Sequence, residues 1–319
     1  MAIRAGFMIT SFPFDGPRSF FRWAEYLERQ RIDSIWQSDR LVSADPYLEA
    51  MSTMATLAGC TEKIKFGMNA IVAPLRDPLV LAKECATIDY LSNGRLLPMF
   101  GIGYPRAGEW AATGRDSGDR GARSSEFFEL LRRLWAEESV TFEGKFYRYE
   151  NATITPRPVQ RELPLWIGGS AEAALKRTAR LGTGWIGGIA TPEQVRQAIE
   201  TISTEATRLG RRIEPDHYGA TLACRIGSLD DPVVANFPLV KRTGTGEEGA
   251  DLSAFLAVGS AKDIVARLEA YKAAGASKFV LLPIAMGDKD MFDQTERLCA
   301  EVVDAIEDRV RVPLDVAKA

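Results

Sequence analysis

Three glycine clusters and one charged dipeptide carry the spacing that chemistry needs in this 319-residue sequence. Gly168-Gly169-Ser170 follows the apolar run Leu165-Trp166-Ile167 and precedes a helix pattern opening at Ala171-Glu172-Ala173. Such a turn exposes backbone N–H groups at a helix N-terminus, where the dipole is positive and the first amides lack partners, so phosphate binds there readily. The plainer alternative is a glycine turn with Ser170 as N-cap. Gly101-Ile102-Gly103 and Gly187-Gly188 end two further apolar runs. Glycine there lets a flat or phosphorylated ligand approach the backbone, with tight turn geometry as the alternative. Asp39-Arg40 ends another run, either as a charged pair lining a pocket or as a solvated pair or cap. Arg40 stays protonated, so it suits an anion or a developing negative charge and not the role of a base.

Other chemistries fall away on composition. His217 is the only histidine, which removes multi-histidine metal sites and makes a Ser-His-Asp or Cys-His site improbable; no metal is expected. Cys60, Cys85, Cys224 and Cys299 are scattered without a C-x-x-C and read as reduced core residues. A net charge of −3 gives no field for nucleic acid. No apolar run reaches the ~18 residues of a membrane span, so a cytoplasmic protein without a membrane partner is expected. The first ten residues read as a strand, being too short in their apolar part for a signal peptide. Gly244-Thr245-Gly246-Glu247-Glu248-Gly249 matches G-x-G-x-x-G by letter, but no βαβ unit frames it; a mobile lid is the better reading.

Strand and helix signals alternate along the whole chain. Strands are expected at 3–9, 32–37, 64–72, 96–102, 165–167, 184–188, 218–226 and 278–283, each followed by a helix pattern. Asp45-Pro46 and Asp77-Pro78 each signal a helix start, with Asp as cap and Pro in the first turn. Eight such pairs predict an α/β fold of the (β/α)8 TIM-barrel class. Insertions are expected after strand 4 (104–118) and strand 7 (227–258), with a hairpin before strand 5 closed by Glu143-Gly144. No linker or internal repeat interrupts the pattern, so residues 1–319 read as one domain. In such barrels chemistry sits at the C-terminal ends of the strands, where all four features above lie.

The chain resembles the bacterial luciferase-like superfamily of flavin- and deazaflavin-dependent oxidoreductases. The resemblance rests on Ile32-Asp33-Ser34-Ile35-Trp36-Gln37-Ser38-Asp39, Asp45-Pro46-Tyr47-Leu48-Glu49 and Asp77-Pro78-Leu79-Val80-Leu81-Ala82-Lys83-Glu84. It continues through Leu91-Ser92-Asn93-Gly94-Arg95, Phe142-Glu143-Gly144-Lys145-Phe146-Tyr147, Thr155-Pro156-Arg157-Pro158-Val159-Gln160 and Pro164 to Ser170. The order and spacing of these segments are specific to the superfamily and not to a substrate. The resemblance implies reduced FMN, or alternatively the deazaflavin F420, in the barrel mouth. Gly168, Gly169 and Ser170 would hold the phosphate, with Gly187 and Gly188 beside them. Gly101 and Gly103 would line the approach. A bulge at Asn69-Ala70-Ile71 would support the ring, with a non-proline cis bond between Ala70 and Ile71.

Two departures from the family pattern bear on function. Arg40 stands where many relatives carry His, which favours an electrostatic role there. Tyr104-Pro105-Arg106 stands where sugar-phosphate dehydrogenases carry Glu; Glu109 lies nearby without a clear match. The resemblance therefore implies a monooxygenase using reduced FMN and O2 on a small organic substrate, fed by a separate flavin reductase. Arg40, Asp39 and Tyr104 are its catalytic candidates. Deazaflavin hydride transfer and non-catalytic flavin binding are the alternatives. A homodimer is also implied, with Met51, Met54 and Leu57 either on its surface or in the core.

Overall fold

The computed structural model describes residues 3–238, 240 and 254–307. The strands are β1 (Arg4–Ile9), β2 (Ser34–Gln37), β3 (Lys65–Met68), β4 (Ile71–Val72), β5 (Leu96–Leu97), β6 (Met99–Gly101), β7 (Val140–Glu143), β8 (Arg148–Ala152), β9 (Trp166–Ile167), β10 (Trp185–Gly187), β11 (Tyr218–Ile226), β12 (Leu256–Gly259) and β13 (Lys278–Pro283). The helices are α1 (Pro17–Arg29), α2 (Ala50–Cys60), α3 (Pro78–Leu91), α4 (Gly108–Ala112), α5 (Arg120–Ala136), α6 (Glu172–Leu181), α7 (Pro192–Arg208), α8 (Pro232–Asn236), α9 (Ala261–Ala273) and α10 (Gly287–Arg297). The expected αβ alternation is present, and the sheet is parallel and curled. One sheet runs β10-β11-β13-β1-β2-β3-β5, with β12 beside β11; a second runs β4-β6-β9, and Trp166 bridges to Gly184 just ahead of β10. The hairpin β7-β8 pairs antiparallel before β9, as expected.

Two expected strands are broken in the middle. The run 64–72 divides around Asn69-Ala70, and the run 96–102 divides at Pro98, which has no N–H to give a ladder. The lower halves pair as β3-β5 and the upper halves as β4-β6. Side chains alternate across the sheet, so each strand feeds two cores. Met8, Trp36, Met99, Trp166, Ile186 and Val280 pack together within the curl. Phe7, Ile9, Ile35 and Phe66 join Trp23, Leu27, Met54, Leu57 and Leu81 in the layer shared with the helices.

At the foot of the curl lies a buried polar chain. Lys278 donates to Asp33, the Ser34 hydroxyl donates to the same carboxylate at 2.9 Å, and Trp36 Nε1 donates to Ser34 Oγ at 2.8 Å. Gly6 makes room for it, since a Cβ there would lie 2.8 Å from Trp36 Nε1.

Two expectations need correction, at the start of the second helix and at Cys60, and one alternative is decided. The second helix starts at Ala50 and not at Pro46, because Glu49 is its cap and accepts the Ser52 amide at 2.7 Å. Pro46 instead gives its carbonyl to the Phe12 amide at 2.6 Å, which holds the chain off the helix axis. Of the two alternatives for Met51, Met54 and Leu57, the core is the one observed: all three are buried. Cys60 is exposed at the end of α2, while the other three cysteines are buried. The G-x-G-x-x-G match at 244–249, and with it the expected lid, lies outside the described residues. Among the described residues no helix is long and apolar enough to cross a membrane.

The α2–β3 turn is stapled by one carboxylate. Glu28 Oε1 accepts the amides of Glu62, Lys63 and Ile64 at 2.9, 2.6 and 3.0 Å. Burial pushes the Glu28 pKa up, but those three amides outweigh it and hold the carboxyl below its ordinary value. A depressed folded pKa gives stability that is present above the unfolded pKa and lost as pH falls through the folded one. Between about pH 5 and 3 the wild-type Tm should therefore fall more steeply than that of Glu28→Gln. Parallel melting curves in scanning calorimetry would show Glu28 to be irrelevant.

Candidate active site

The C-terminal end of β2 sends adjacent side chains to opposite sides. Asp39 is nearly inaccessible and accepts Arg76 Nη1 at 2.6 Å, Arg76 Nη2 at 2.8 Å and the Val72 amide at 2.9 Å. Arg76 also donates to Glu49 Oε1 at 3.1 Å. Burial pulls the Arg76 pKa down, yet Asp39 and Glu49 outweigh it and raise it above the ordinary value. The expected Asp39–Arg40 pair is thus not formed, because Arg76 takes up the Asp39 carboxylate and Arg40 lies against Glu109. Asp39 ties the ends of β2 and β4 together and, through Arg76, the start of α2, with both of its oxygens engaged.

Arg40 instead meets Glu109 on α4. Arg40 Nε lies 2.9 Å from Glu109 Oε1, with side-chain exposures of 31% and 6%. The two are not aligned as a hydrogen bond, and neither Arg40 Nε nor Glu109 Oε2 has a protein hydrogen-bond partner. Buried polar atoms are rarely left so, and a pocket group is a common reason. Glu109 was not among the expected catalytic residues. The signal for it was the short helical run Gly108-Glu109-Trp110-Ala111-Ala112 inside a stretch read as loop. Trp110 fixes that helix: its Nε1 donates to the Tyr104 carbonyl at 2.7 Å. Gly103 has φ +70, and a Cβ there would lie 2.8 Å from Val72 Cγ1 and 3.3 Å from Trp110. Tyr104 serves through its carbonyl; its side chain is 80% exposed and takes no part in the Arg40–Glu109 pair.

The break between β3 and β4 faces inward. Asn69 Nδ2 donates to Thr221 Oγ1 at 2.9 Å, and the Asn69 amide donates to the Gln37 carbonyl at 2.9 Å. The cis bond is Asn69–Ala70, one residue before the expected place. Ile71 has by then rejoined a strand, in register with Phe100, and its side chain is buried in the helix-side layer. Ala70 stays on the inner side, and a Cβ on Gly101 would lie 3.6 Å from the Ala70 Cβ. The structure therefore brings Asn69, Ala70 and Gly101 together and takes Ile71 away.

The β9–α6 turn is open. Gly168 donates its amide to the Phe100 carbonyl at 2.8 Å, and a Cβ on it would lie 2.6 Å from Met99 Cε. Gly169 has φ +114, and its carbonyl accepts Trp185 Nε1 at 3.0 Å, which joins the turn to β10. Gly169 and Ser170 are exposed. The N-cap of α6 is Ala171 and not Ser170, and no side chain caps it. The amides of Glu172 and Ala173 thus meet no described backbone acceptor. The α7 start differs: Thr191 and Gln194 form a complete capping box there. Gly187 is buried against Trp185 and Gly188 is exposed in open space, so this pair gives access but no free helix amides.

A comparison with known families matches residues 4–278 to Luciferase-like monooxygenase. The chain belongs to the luciferase-like family. This luciferase-like protein is 31% identical over 195 residues to the F420-dependent glucose-6-phosphate dehydrogenase of Amycolatopsis mediterranei, covering 58% of this chain and 57% of that protein. It is 30% identical over 175 residues to the FMNH(2)-dependent dimethylsulfone monooxygenase of Pseudomonas putida, covering 54% and 48%. The chain thus matches about half the length of these curated relatives. Its fold is shared with an F420-dependent secondary alcohol dehydrogenase in complex with an F420-acetone adduct, at TM-score 0.82 and 18% identity over 95% of this chain and 100% of that one.

Proposed function

We propose that this luciferase-like protein is an oxidoreductase holding a flavin at the mouth of a closed (β/α)8 barrel formed by one domain. The observation that carries the reading is the uncapped start of α6 behind Gly168-Gly169-Ser170. Its free amides and the absence of Cβ atoms fit a phosphate, and Ala70 with Gly101 offer a small, flat approach for a ring. When bound, the flavin supplies the electrons, passed either to O2 or as hydride to substrate. The chain's own work is to hold that phosphate, to seat the ring against the Asn69-Ala70 bend, and to set Arg40 and Glu109 as the polar pair facing substrate.

Reduced FMN with O2 is the reading we hold, with the flavin supplied by a separate reductase, in a homodimeric cytoplasmic enzyme. Deazaflavin hydride transfer is the second reading, favoured by one observation: Glu109, which follows the fourth-strand glycines without a clear match in sequence, is a buried carboxylate beside Arg40. Loss of the phosphate should separate ligands cleanly. Riboflavin is expected to bind at least about tenfold more weakly than FMN, since charge-assisted hydrogen bonds contribute about 1.5–3 kcal/mol each and tenfold is about 1.4 kcal/mol. Fluorescence titration checks this, and equal affinities would remove the phosphate cradle. Tighter binding of F420 than of FMN, with oxygen-independent turnover, would replace the first reading by the second. Flavin binding without turnover on any substrate would leave a carrier.

A further inference from the structure

A cleft of about 640 Å³ opens at the end of the barrel away from the Gly168–Ser170 turn. It lies between the last turn of α5, the segment 158–165 and the end of α6. Leu165 stands just before β9 and the glycine turn just after it, so the two places lie at opposite ends of that strand. Leu181 ends α6 and Thr183 precedes β10, which puts both at the cleft end. The volume falls within the range of small-molecule pockets, about 300–1,000 Å³.

The floor of the cleft is apolar. Trp135, Leu163, Leu165 and Leu181 line it and belong otherwise to the helix-side core. The polar groups of its walls are already engaged. Trp135 Nε1 donates to the Ala82 carbonyl at 3.1 Å, and the Leu165 amide donates to Thr183 Oγ1 at 2.9 Å. The segment along one side is pinned from behind. Asp89 on α3 accepts the Val159 and Gln160 amides at 2.8 and 3.1 Å, and Gln160 Nε2 donates to the Leu96 carbonyl at 2.9 Å. The cleft is therefore preformed, which lowers the ordering cost of any guest.

Its rim carries more positive than negative charge. Arg132, Arg133 and Arg161 line it against Glu137 and Glu162. Arg133 Nε and Nη2 donate to the two oxygens of Glu137 at 2.8 and 2.9 Å, so that pair is self-contained. Arg132 and Arg161 are exposed and have no hydrogen-bond or ion-pair partner among the described residues. Glu162 is the remaining acid of the lining against these two cations. Arg211 adds to the same field: it donates to the Gly182 carbonyl at 2.9 Å at the end of α6, burial and Arg132 pull its pKa down, and Glu162 restores only part. A neutral apolar guest would leave this charge unanswered. An anion with an apolar body answers both features.

We propose that this cleft is a second small-molecule site, separate from the barrel mouth, that takes an amphipathic organic anion. The apolar body packs on Trp135 and the three leucines, and a carboxylate, sulfonate or phosphate at its edge meets Arg132 and Arg161. Guanidinium groups suit such a head, since their planar fork matches an oxyanion while their stems cover apolar surface. The site makes no use of the flavin, so it stands or falls apart from the reading of the mouth.

The test is a calorimetric titration of 8-anilinonaphthalene-1-sulfonate into the full-length protein, with and without saturating FMN. One saturable site per chain is expected, with the same affinity in both. Arg132→Met combined with Arg161→Met should weaken it about fivefold, because exposed charge pairs contribute modestly. Ala136→Trp, which sets an indole on the cleft wall, should abolish it. Far-UV circular dichroism checks folding, and the two exposed arginines carry the test should Ala136→Trp fail to fold. Unchanged affinity in the arginine double variant, or the absence of a saturable site in the wild type, overturns the proposal. Competition by FMN overturns it by moving the probe to the mouth. A dimer in sedimentation that the probe dissociates, and that Ala136→Trp also dissociates, overturns it by making the cleft an interface between copies.

Discussion

Lys278→Met is expected to be the most destabilising conservative substitution in the chain, costing about 3–5 kcal/mol in urea denaturation. Lys278 and Asp33 are 8% and 7% exposed at the side chain and pair at the foot of the curled sheet. Burial pulls the lysine pKa down, and Asp33 recovers only part of that; for Asp33 burial pushes up, and Lys278 with Lys65 and Ser34 more than reverses it. Removing one partner leaves the other charged in a site with little water. Lys65 lies 3.9 Å from Asp33 but is half exposed, so it compensates weakly. Removing both partners should do far less harm than removing one: Lys278→Met with Asp33→Leu is expected to recover most of the loss, as replacement of a whole buried pair by apolar groups often does. A double variant no more stable than Lys278→Met would show that the pair matters for shape and not for charge.

Asp39→Asn is expected to cost about 3 kcal/mol and to weaken flavin binding at the same time. The carboxylate holds both Arg76 nitrogens and the Val72 amide. An amide keeps the size but loses the charge and one acceptor, so Arg76 keeps only Glu49 as a counter-charge, and Glu49 is itself more exposed. The end of β2 then loosens against β4, and with it Arg40 on one side and Ala70 on the other. The expected signature is a joint fall in urea midpoint and FMN affinity, with Arg76→Lys intermediate in both because lysine cannot reproduce the fork. A destabilised variant with unchanged FMN affinity would confine Asp39 to folding.

Much of this was legible in the sequence, for physical reasons that differ by element. β11 and β13 were read at their full observed bounds because long apolar runs between turn signals leave little choice. The helix at Asp77-Pro78 was read correctly because the cap is local: Asp77 accepts the Leu79 and Val80 amides of its own helix. Asp45-Pro46 carried the same letters and failed, because Pro46 answers to Phe12, far away in sequence. The open turn at Gly168-Gly169-Ser170 was legible since it depends on the backbone, although the helix after it is capped at Ala171 and not at Ser170. The partners of Asp39 and Arg40 were not, since Arg76 and Glu109 reach them only through the fold. Arg40 was read as a charge for an anionic ligand; the partner it meets in the fold is Glu109, and no spacing rule joins positions so far apart.

The broken strands β3/β4 and β5/β6 have a consequence for how this fold can change. Their lower halves belong to one ladder and their upper halves to another, so the wall has two storeys on that side. The lower storey carries Lys278 and Asp33; the upper carries Asp39, Ala70 and Gly101. The two ends of β2 alone are about 10 Å apart, and the two ion-pair networks share no residue. Effects at such a distance add. Stability can therefore be gained in the lower storey and spent on altered recognition in the upper one, without the two kinds of change interfering.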